Sequence, residues 1–236
     1  MGLIEVYIGT SGWVYDWNPD GLEWYIQHTG LNSVELNMSF YRFPYRNMIA
    51  SWSRKGRRLR WSIKVHRSIT HVRRMRETAL PILEKFMSLF KPMDELIDFY
   101  LFQLPPSYKC SDEYLRRIEK LHYASGLGDR FAVEFRHASC YKDRVISWAE
   151  KHGLTLVSVD SPIASWIASS NRIVYLRLHG REMWYAYDYT RDELEELARQ
   201  TISLEPEKIY VYFNNNHWML RNAQIMMEIY RELLGA

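Results

Sequence analysis

The sequence predicts an α/β fold: one TIM-barrel-like (β/α)8 domain spanning residues 1–236, its sixth helix short or missing. Three observations lead there. Eight short β-rich runs alternate with helical patterns along the whole chain, the order of a barrel of alternating strands and helices. No low-complexity stretch, Gly/Ser or Pro linker, or solenoid-length repeat divides it, so one domain is preferred. Within most strands one alternation phase is apolar while the other turns polar toward the C-terminal end. An open sheet covered by helices on both faces is apolar in both phases, and a barrel whose inner face opens at a mouth is not.

Strands are expected at Val6–Thr10, Ser33–Asn37, Arg60–His66, Phe99–Leu104, Phe131–Arg136, Leu154–Asp160, Ile173–His179 and Ile209–Asn214. Helical patterns lie near Leu22–His28, Arg46–Arg54, Ala79–Phe90, Asp112–His122, Lys142–His152, Arg191–Ser203 and Leu220–Leu234. Thr190-Arg191-Asp192-Glu193 reads as a capping box, the Thr hydroxyl and the Glu carboxylate each satisfying a free backbone N–H at the helix start. The sixth connection, Ser161–Arg172, is too short for a full helix.

Composition sets the outer limits. Hydrophobic residues are 47% and charged residues 25% of the chain, ordinary for a soluble globular protein. The net charge of +3 singles out no partner. No run approaches about 18 uncharged apolar residues, and Met1-Gly2-Leu3-Ile4-Glu5 lacks the basic-then-apolar pattern of a secretory signal. A cytoplasmic protein with no membrane partner is expected. Cys110 and Cys140 lack paired-thiol spacing, so neither a disulfide framework nor a Cys-rich zinc site is expected.

Barrel enzymes place their chemistry at the C-terminal ends of the strands. The residues gathered there are Glu35, Asn37, Lys64, Gln103, Glu134, Arg136, His137, Asp160, Arg177, His179, Asn214 and Asn215, with Arg181 just beyond. Charged side chains on an inner face are costly to bury without partners, so the set points to a functional mouth. Glu35, Glu134, Asp160 and His179 are the catalytic candidates, and their donor types also suit a divalent metal. The remaining nine are candidates for substrate binding. A buried ion network joining Glu134 to Arg136 or Arg177 is an equal alternative to metal binding.

No His-Glu-x-x-His, G-x-S-x-G, Walker or G-x-G-x-x-G pattern occurs, so no nucleotide cofactor is expected. The most one-sided stretch, Arg54–Arg76, holds ten Lys or Arg plus His66 and His71 and no acid. Such a run is either a solvated face or an attractor of phosphate-bearing ligands.

Several whole segments resemble the YecE-like family, domain of unknown function number seventy-two. They are Ile8-Gly9-Thr10-Ser11-Gly12-Trp13, Val34-Glu35-Leu36-Asn37 through Phe40-Tyr41-Arg42, Ile69-Thr70-His71, Phe102-Gln103-Leu104-Pro105-Pro106-Ser107 and Val133-Glu134-Phe135-Arg136-His137. Asp160-Ser161-Pro162, Leu176-Arg177-Leu178-His179-Gly180-Arg181, Tyr212-Phe213-Asn214-Asn215 and Asn222-Ala223 continue the resemblance in order. It implies a TIM-barrel-like fold and no established reaction. Two positions depart from the pattern. Cys140 stands where an aromatic is expected, and Asn214-Asn215-Asn216-His217 stands where the family tends to carry Asn-Asp-His. Chemistry that needs that acid would be altered here.

The functional expectation is a barrel-mouth enzyme acting on an anionic, phosphorylated substrate, with metal-assisted phosphoester hydrolysis, on a small molecule or on nucleic acid, the first reaction to consider. Two alternatives stand beside it. One is a non-catalytic nucleic-acid-binding protein using the basic run with aromatic stacking. The other is a sugar or sugar-phosphate isomerase or hydrolase with paired carboxylates.

Overall fold

The computed structural model describes residues 3–235. Eight parallel strands close into a barrel: β1 (Glu5–Thr10), β2 (Ser33–Leu36), β3 (Arg60–Lys64), β4 (Ile97–Gln103), β5 (Phe131–Glu134), β6 (Thr155–Ser161), β8 (Ile173–Leu178) and β9 (Lys208–Phe213). Each pairs with the next, β6 pairs with β8, and β9 pairs back with β1. The ninth strand, β7 (Ala164–Trp166), folds back antiparallel on β6. This hairpin occupies the sixth connection, where the sequence leaves no room for a helix.

The outer layer comprises α1 (Gly21–His28), α2 (Met38–Tyr41), α3 (Arg46–Lys55), α4 (Leu80–Phe90), α5 (Asp112–Ser125), α6 (Asp143–His152), α7 (Arg191–Ser203) and α8 (Met219–Leu234). Their apolar faces meet the outward strand residues, Val34, Ile63, Val133, Leu176 and Val211 among them, in one continuous core. The capping box at Thr190 and Glu193 forms in full. No helix among the described residues is long and apolar enough to cross a membrane.

The barrel interior is a second, smaller core of Phe99, Leu101, Ala132, Val157, Tyr175, Tyr210 and Tyr212. A buried tyrosine needs a partner for its hydroxyl. Tyr212 finds one in Ser33 Oγ at 2.6 Å and Tyr175 in Ser62 Oγ at 2.6 Å. On β1 only glycine fits at position 9, because a Cβ there would collide with the Ser33 carbonyl of β2. Above these rings, toward the C-terminal ends of the strands, the interior changes from aromatic to charged.

Cys110 and Cys140 form a disulfide across 30 residues of sequence. This corrects the expectation drawn from thiol spacing. The two cysteines lie on the loops after β4 and β5, and loops after neighbouring barrel strands are adjacent whatever their separation in sequence. Cys140 also takes the place of the aromatic expected after the fifth strand: the position is fully buried and is filled by the cross-link. Loop-closure entropy for a cross-link of this span corresponds to about 3.5 kcal/mol. The Cys110→Ala/Cys140→Ala double variant is expected to lose stability of that order in urea unfolding. An unchanged midpoint would show that the bond contributes nothing to the folded state.

Candidate functional site

The charged floor of the mouth is organised around Arg177, a fully buried side chain on β8. Its Nε donates to Glu35 Oε2 at 2.9 Å and its Nη2 to Glu35 Oε1 at 2.5 Å, a two-pronged contact with β2. Its Nη1 donates to Glu134 Oε2 on β5. Glu35 receives two further bonds, from Ser11 Oγ at 2.8 Å and Tyr175 OH at 2.8 Å. The other oxygen of Glu134 accepts from Arg136 Nε.

His179 completes the group. Its Nε2 lies 3.2 Å from Glu134 Oε1 and 3.1 Å from Arg136 Nη2, and its Nδ1 lies 3.2 Å from Asn214 Nδ2. Burial, then Arg136, pushes this imidazole well below its ordinary range despite the pull of Glu134, so it is neutral at pH 7. Burial alone would raise the Glu134 carboxyl. Arg136, Arg177 and His179 outweigh burial and hold it well below the usual carboxylate range.

Lys64, at the end of β3, also faces this cluster. It is buried, with 9% of its surface exposed, and its Nζ sits 4.3 Å from the centre of the Phe40 ring. Neither a hydrogen bond nor an ion pair engages the amine among the described residues. Burial, reinforced by Arg177 and Arg136 against the pull of Glu134 and Glu35, lowers it to about 7.

The outer edge of the mouth is aromatic and polar. Trp184, on the loop after β8, lies over the Arg136 guanidinium at 4.5 Å, and its ring is 5.5 Å from that of His179. His71 stacks edge-on against Phe40 at 5.0 Å. Burial, then Lys64, Arg67 and Arg136, lowers the His71 imidazole to about 4. Beside the mouth a cavity of about 500 Å³ is lined by Trp13, Tyr15, Asn37, Tyr41, Arg42 and Trp52 among others, and the Asn37 Oδ1 buried there has no partner.

Glu35, Lys64, Glu134, Arg136, Arg177, His179 and Asn214 therefore meet in one place, with Asn37 on the adjoining cavity and Gln103 nearly buried at the end of β4. Four expected residues do not join them. Asp160 points outward, because the residues of β6 in register with inward Tyr175 and Arg177 of β8 are Val157 and Val159. Its carboxylate accepts from Tyr189 OH at 2.7 Å and Arg181 Nε at 3.2 Å. That clamp ties down the loop after β8 and employs Arg181 as well. His137 turns back on Ser139 to cap the short helical turn after β5. Asn215 is fully buried, donating to Tyr187 O and Asn222 Oδ1, both at 2.7 Å.

These placements bear on the metal expectation. The oxygens of Glu35 and Glu134 are engaged by guanidinium and hydroxyl donors, and Asp160 faces away. Among the described residues no three His, Cys, Asp or Glu side chains cluster in a metal-holding arrangement. The donor set does not fit a divalent ion, and the alternative of a buried ion network describes it better.

The basic run is likewise divided. Exposed Arg54, Arg57 and Arg58 lie before β3, at the foot of the barrel, and exposed Arg67, Arg73 and Arg76 lie after it, at the rim. Lys55 pairs with Glu23 and Arg60 with Asp98. Strand phase does not single out Tyr175 or Phe40, and His71 lies within the basic run. The one available signal for Tyr175 was its position two residues before Arg177, on the same strand face.

The sequence profile of the family described as "Protein of unknown function DUF72" matches residues 7–235. The chain belongs to the DUF72 family. A DUF72 family protein from Thermotoga maritima shares 27% identity, covering 96% of this chain and 99% of its own, with a TM-score of 0.84. A DUF72 family protein from Enterococcus faecalis is 20% identical and covers 95% of this chain and 94% of its own at a TM-score of 0.82. A xylose isomerase domain containing protein from Salmonella typhimurium, 12% identical, covers 92% of each chain at 0.57, a likeness of fold alone. A search among curated proteins finds no match. The DUF72 match thus confirms the family and the barrel that the sequence segments imply.

Two outcomes are expected of the DUF72 mouth. Arg177→Met leaves two buried carboxylates short of a partner and should cost about 3–5 kcal/mol in equilibrium unfolding; a loss under about 1 kcal/mol would mean that the carboxylates ionise without it. Stability should also rise with pH. His179 is depressed in the fold relative to 6.5 when unfolded, so its contribution is present above pH 6.5 and lost as pH falls below it. Glu134 is depressed relative to 4.5 and adds a further loss below pH 4.5. His179→Gln should reduce the slope below pH 6.5 by about 1.4 kcal/mol per pH unit. An unaltered slope would show that His179 is charged in the fold.

Proposed function

We propose that the protein is an enzyme whose barrel mouth binds a small phosphorylated molecule on Arg136, close to Lys64, with Trp184 lying over the bound group. One observation carries this reading: the mouth holds more positive than negative charge once its own pairs are counted. Glu35 and Glu134 are taken up by Arg177 and by one side of Arg136, which leaves Lys64 without an acidic partner. A buried cation without a counter-ion is costly, and a phosphate supplied by a ligand removes that cost. Arg136 suits the role because a planar guanidinium presents several donors to phosphate oxygens.

Metal-assisted phosphoester hydrolysis has less support, since the oxygens of Glu35 and Glu134 are occupied by guanidinium and hydroxyl donors. The polymer reading has less support than the small-molecule one. Exposed arginines at opposite ends of β3 lie roughly 16 Å apart along a five-residue strand and form no single strip for a nucleic-acid backbone. A sugar phosphate is compatible with the site, its anion held by Arg136 and its body resting on the ring of Trp184.

Calorimetric titration with inorganic phosphate and glycerol phosphate at low salt is the test. Binding is expected, and Arg136→Gln should weaken it at least tenfold, about 1.4 kcal/mol. A single-stranded oligonucleotide should bind no more tightly than one nucleoside monophosphate. Absence of phosphate binding, or binding indifferent to Arg136→Gln, would overturn the reading. A steeply salt-dependent affinity for the oligonucleotide alone would favour the polymer.

A further inference from the structure

We infer that Lys64 is a nucleophilic amine, which forms a covalent imine with the carbonyl group of an anionic substrate. The inference deepens the proposed function, on which it rests only for the identity of the anion that brings the carbonyl to the amine.

Three features of its surroundings separate Lys64 from the other lysines. It stands at the C-terminal end of a barrel strand, where a bound substrate would lie. It is buried against an aromatic ring with its Nζ engaged by no acceptor, whereas Lys55, Lys120 and Lys208 each reach a glutamate at the surface. Its charged neighbours are balanced against it. Arg177 and Arg136 oppose the ammonium, Glu134 and Glu35 favour it, and both carboxylates are already committed to guanidiniums. His71 nearby is neutral at pH 7. A lysine in such a place, desolvated and beside other cations, keeps a substantial unprotonated fraction near neutral pH. No other role in the structure uses it: it bridges no pair of elements by a polar contact, and a methionine would fill the same space.

The chemistry balances without any further reagent. The Nζ lone pair adds to the carbonyl carbon, the C=O π pair moves to oxygen, and a proton passes from nitrogen to that oxygen to give a carbinolamine. Loss of the oxygen as water, with the second nitrogen proton, leaves a C=N bond. Once protonated, the imine withdraws electrons from the adjacent carbon, so a C–H or C–C bond there becomes easier to break. The reaction class is therefore proton transfer or carbon–carbon cleavage next to a carbonyl. Arg136 would hold the phosphate while Lys64 holds the carbon.

The test uses the intact protein with glycolaldehyde phosphate and glycolaldehyde as a matched pair of probes. Sodium cyanoborohydride reduces any imine to a stable secondary amine, and peptide mapping by mass spectrometry locates it among the nine lysines. At pH 7 Lys64 should be labelled at least tenfold faster than any other lysine. Glycolaldehyde phosphate should react faster than glycolaldehyde, and Arg136→Gln should abolish that preference. The labelling rate should rise through an inflection near pH 7, well below that of the exposed lysines. Label spread over the exposed lysines with Lys64 spared would overturn the inference, even if inorganic phosphate still binds calorimetrically. Rapid labelling of Lys64 by both aldehydes alike would sustain the amine and remove the phosphate from the proposed function.

Discussion

The Arg177 guanidinium, placed where water does not reach, is the constraint around which the mouth is built. Taking an arginine and two glutamates out of water costs several kcal/mol per ion, recovered only where the geometry satisfies nearly every donor and acceptor. Four side-chain contacts from Arg177 and Arg136 to the two carboxylates, with Ser11 and Tyr175 filling the remaining positions on Glu35, meet that demand. The partners come from β2, β5 and β8, so the ions are paired only when the barrel is closed. A segment carrying half of the strands would hold Glu35 or Arg177 without the other. Burial of charge here couples the closure of the sheet to the formation of the site.

From this follows a division of labour among the titratable groups. The two glutamates have the chemistry of acids and bases, but their oxygens are taken up by guanidinium and hydroxyl donors, so they orient rather than react. His179 is kept neutral by burial, aided by the same guanidiniums that hold Glu134 charged. Lys64, at the edge of the network, has neither fate. It shares the field of the network without a bond to it, and so, among the described residues, is the ionisable side chain on the floor left free to do something else.

Much of this was legible in the alternation of the strands. On β2, β3, β5 and β8 the polar phase is the inner phase, and Glu35, Lys64, Glu134, Arg136, Arg177 and His179 could be grouped from sequence alone. The same rule inverted on β6. Val157 and Val159 fill the interior there, while Ser158 and Asp160 find partners outside it, Ser158 on Ala168 and Asp160 on Tyr189 and Arg181. Those partners lie 10 to 29 residues away on loops, and nothing in a seven-residue strand announces them. His137 and Asn215 mislead for a related reason. Each is polar and at a strand end, yet each satisfies its own loop, a local use of side-chain hydrogen bonding that strand phase does not register. The disulfide escaped notice because adjacency of neighbouring loops is a property of barrel closure and not of spacing.

That disulfide has a kinetic consequence. Thiol–disulfide exchange requires an incoming thiolate to approach one sulfur directly, so its rate depends on access as well as on potential. Cys140 is wholly enclosed and Cys110 is 4% exposed, with Tyr108 and Ser139 against the pair. A soluble reductant must wait for the two loops to part before it can react. The lifetime of the cross-link in a reducing medium is thus set by how often that corner of the barrel opens, and the bond records the local breathing of the protein more than the redox state of its surroundings.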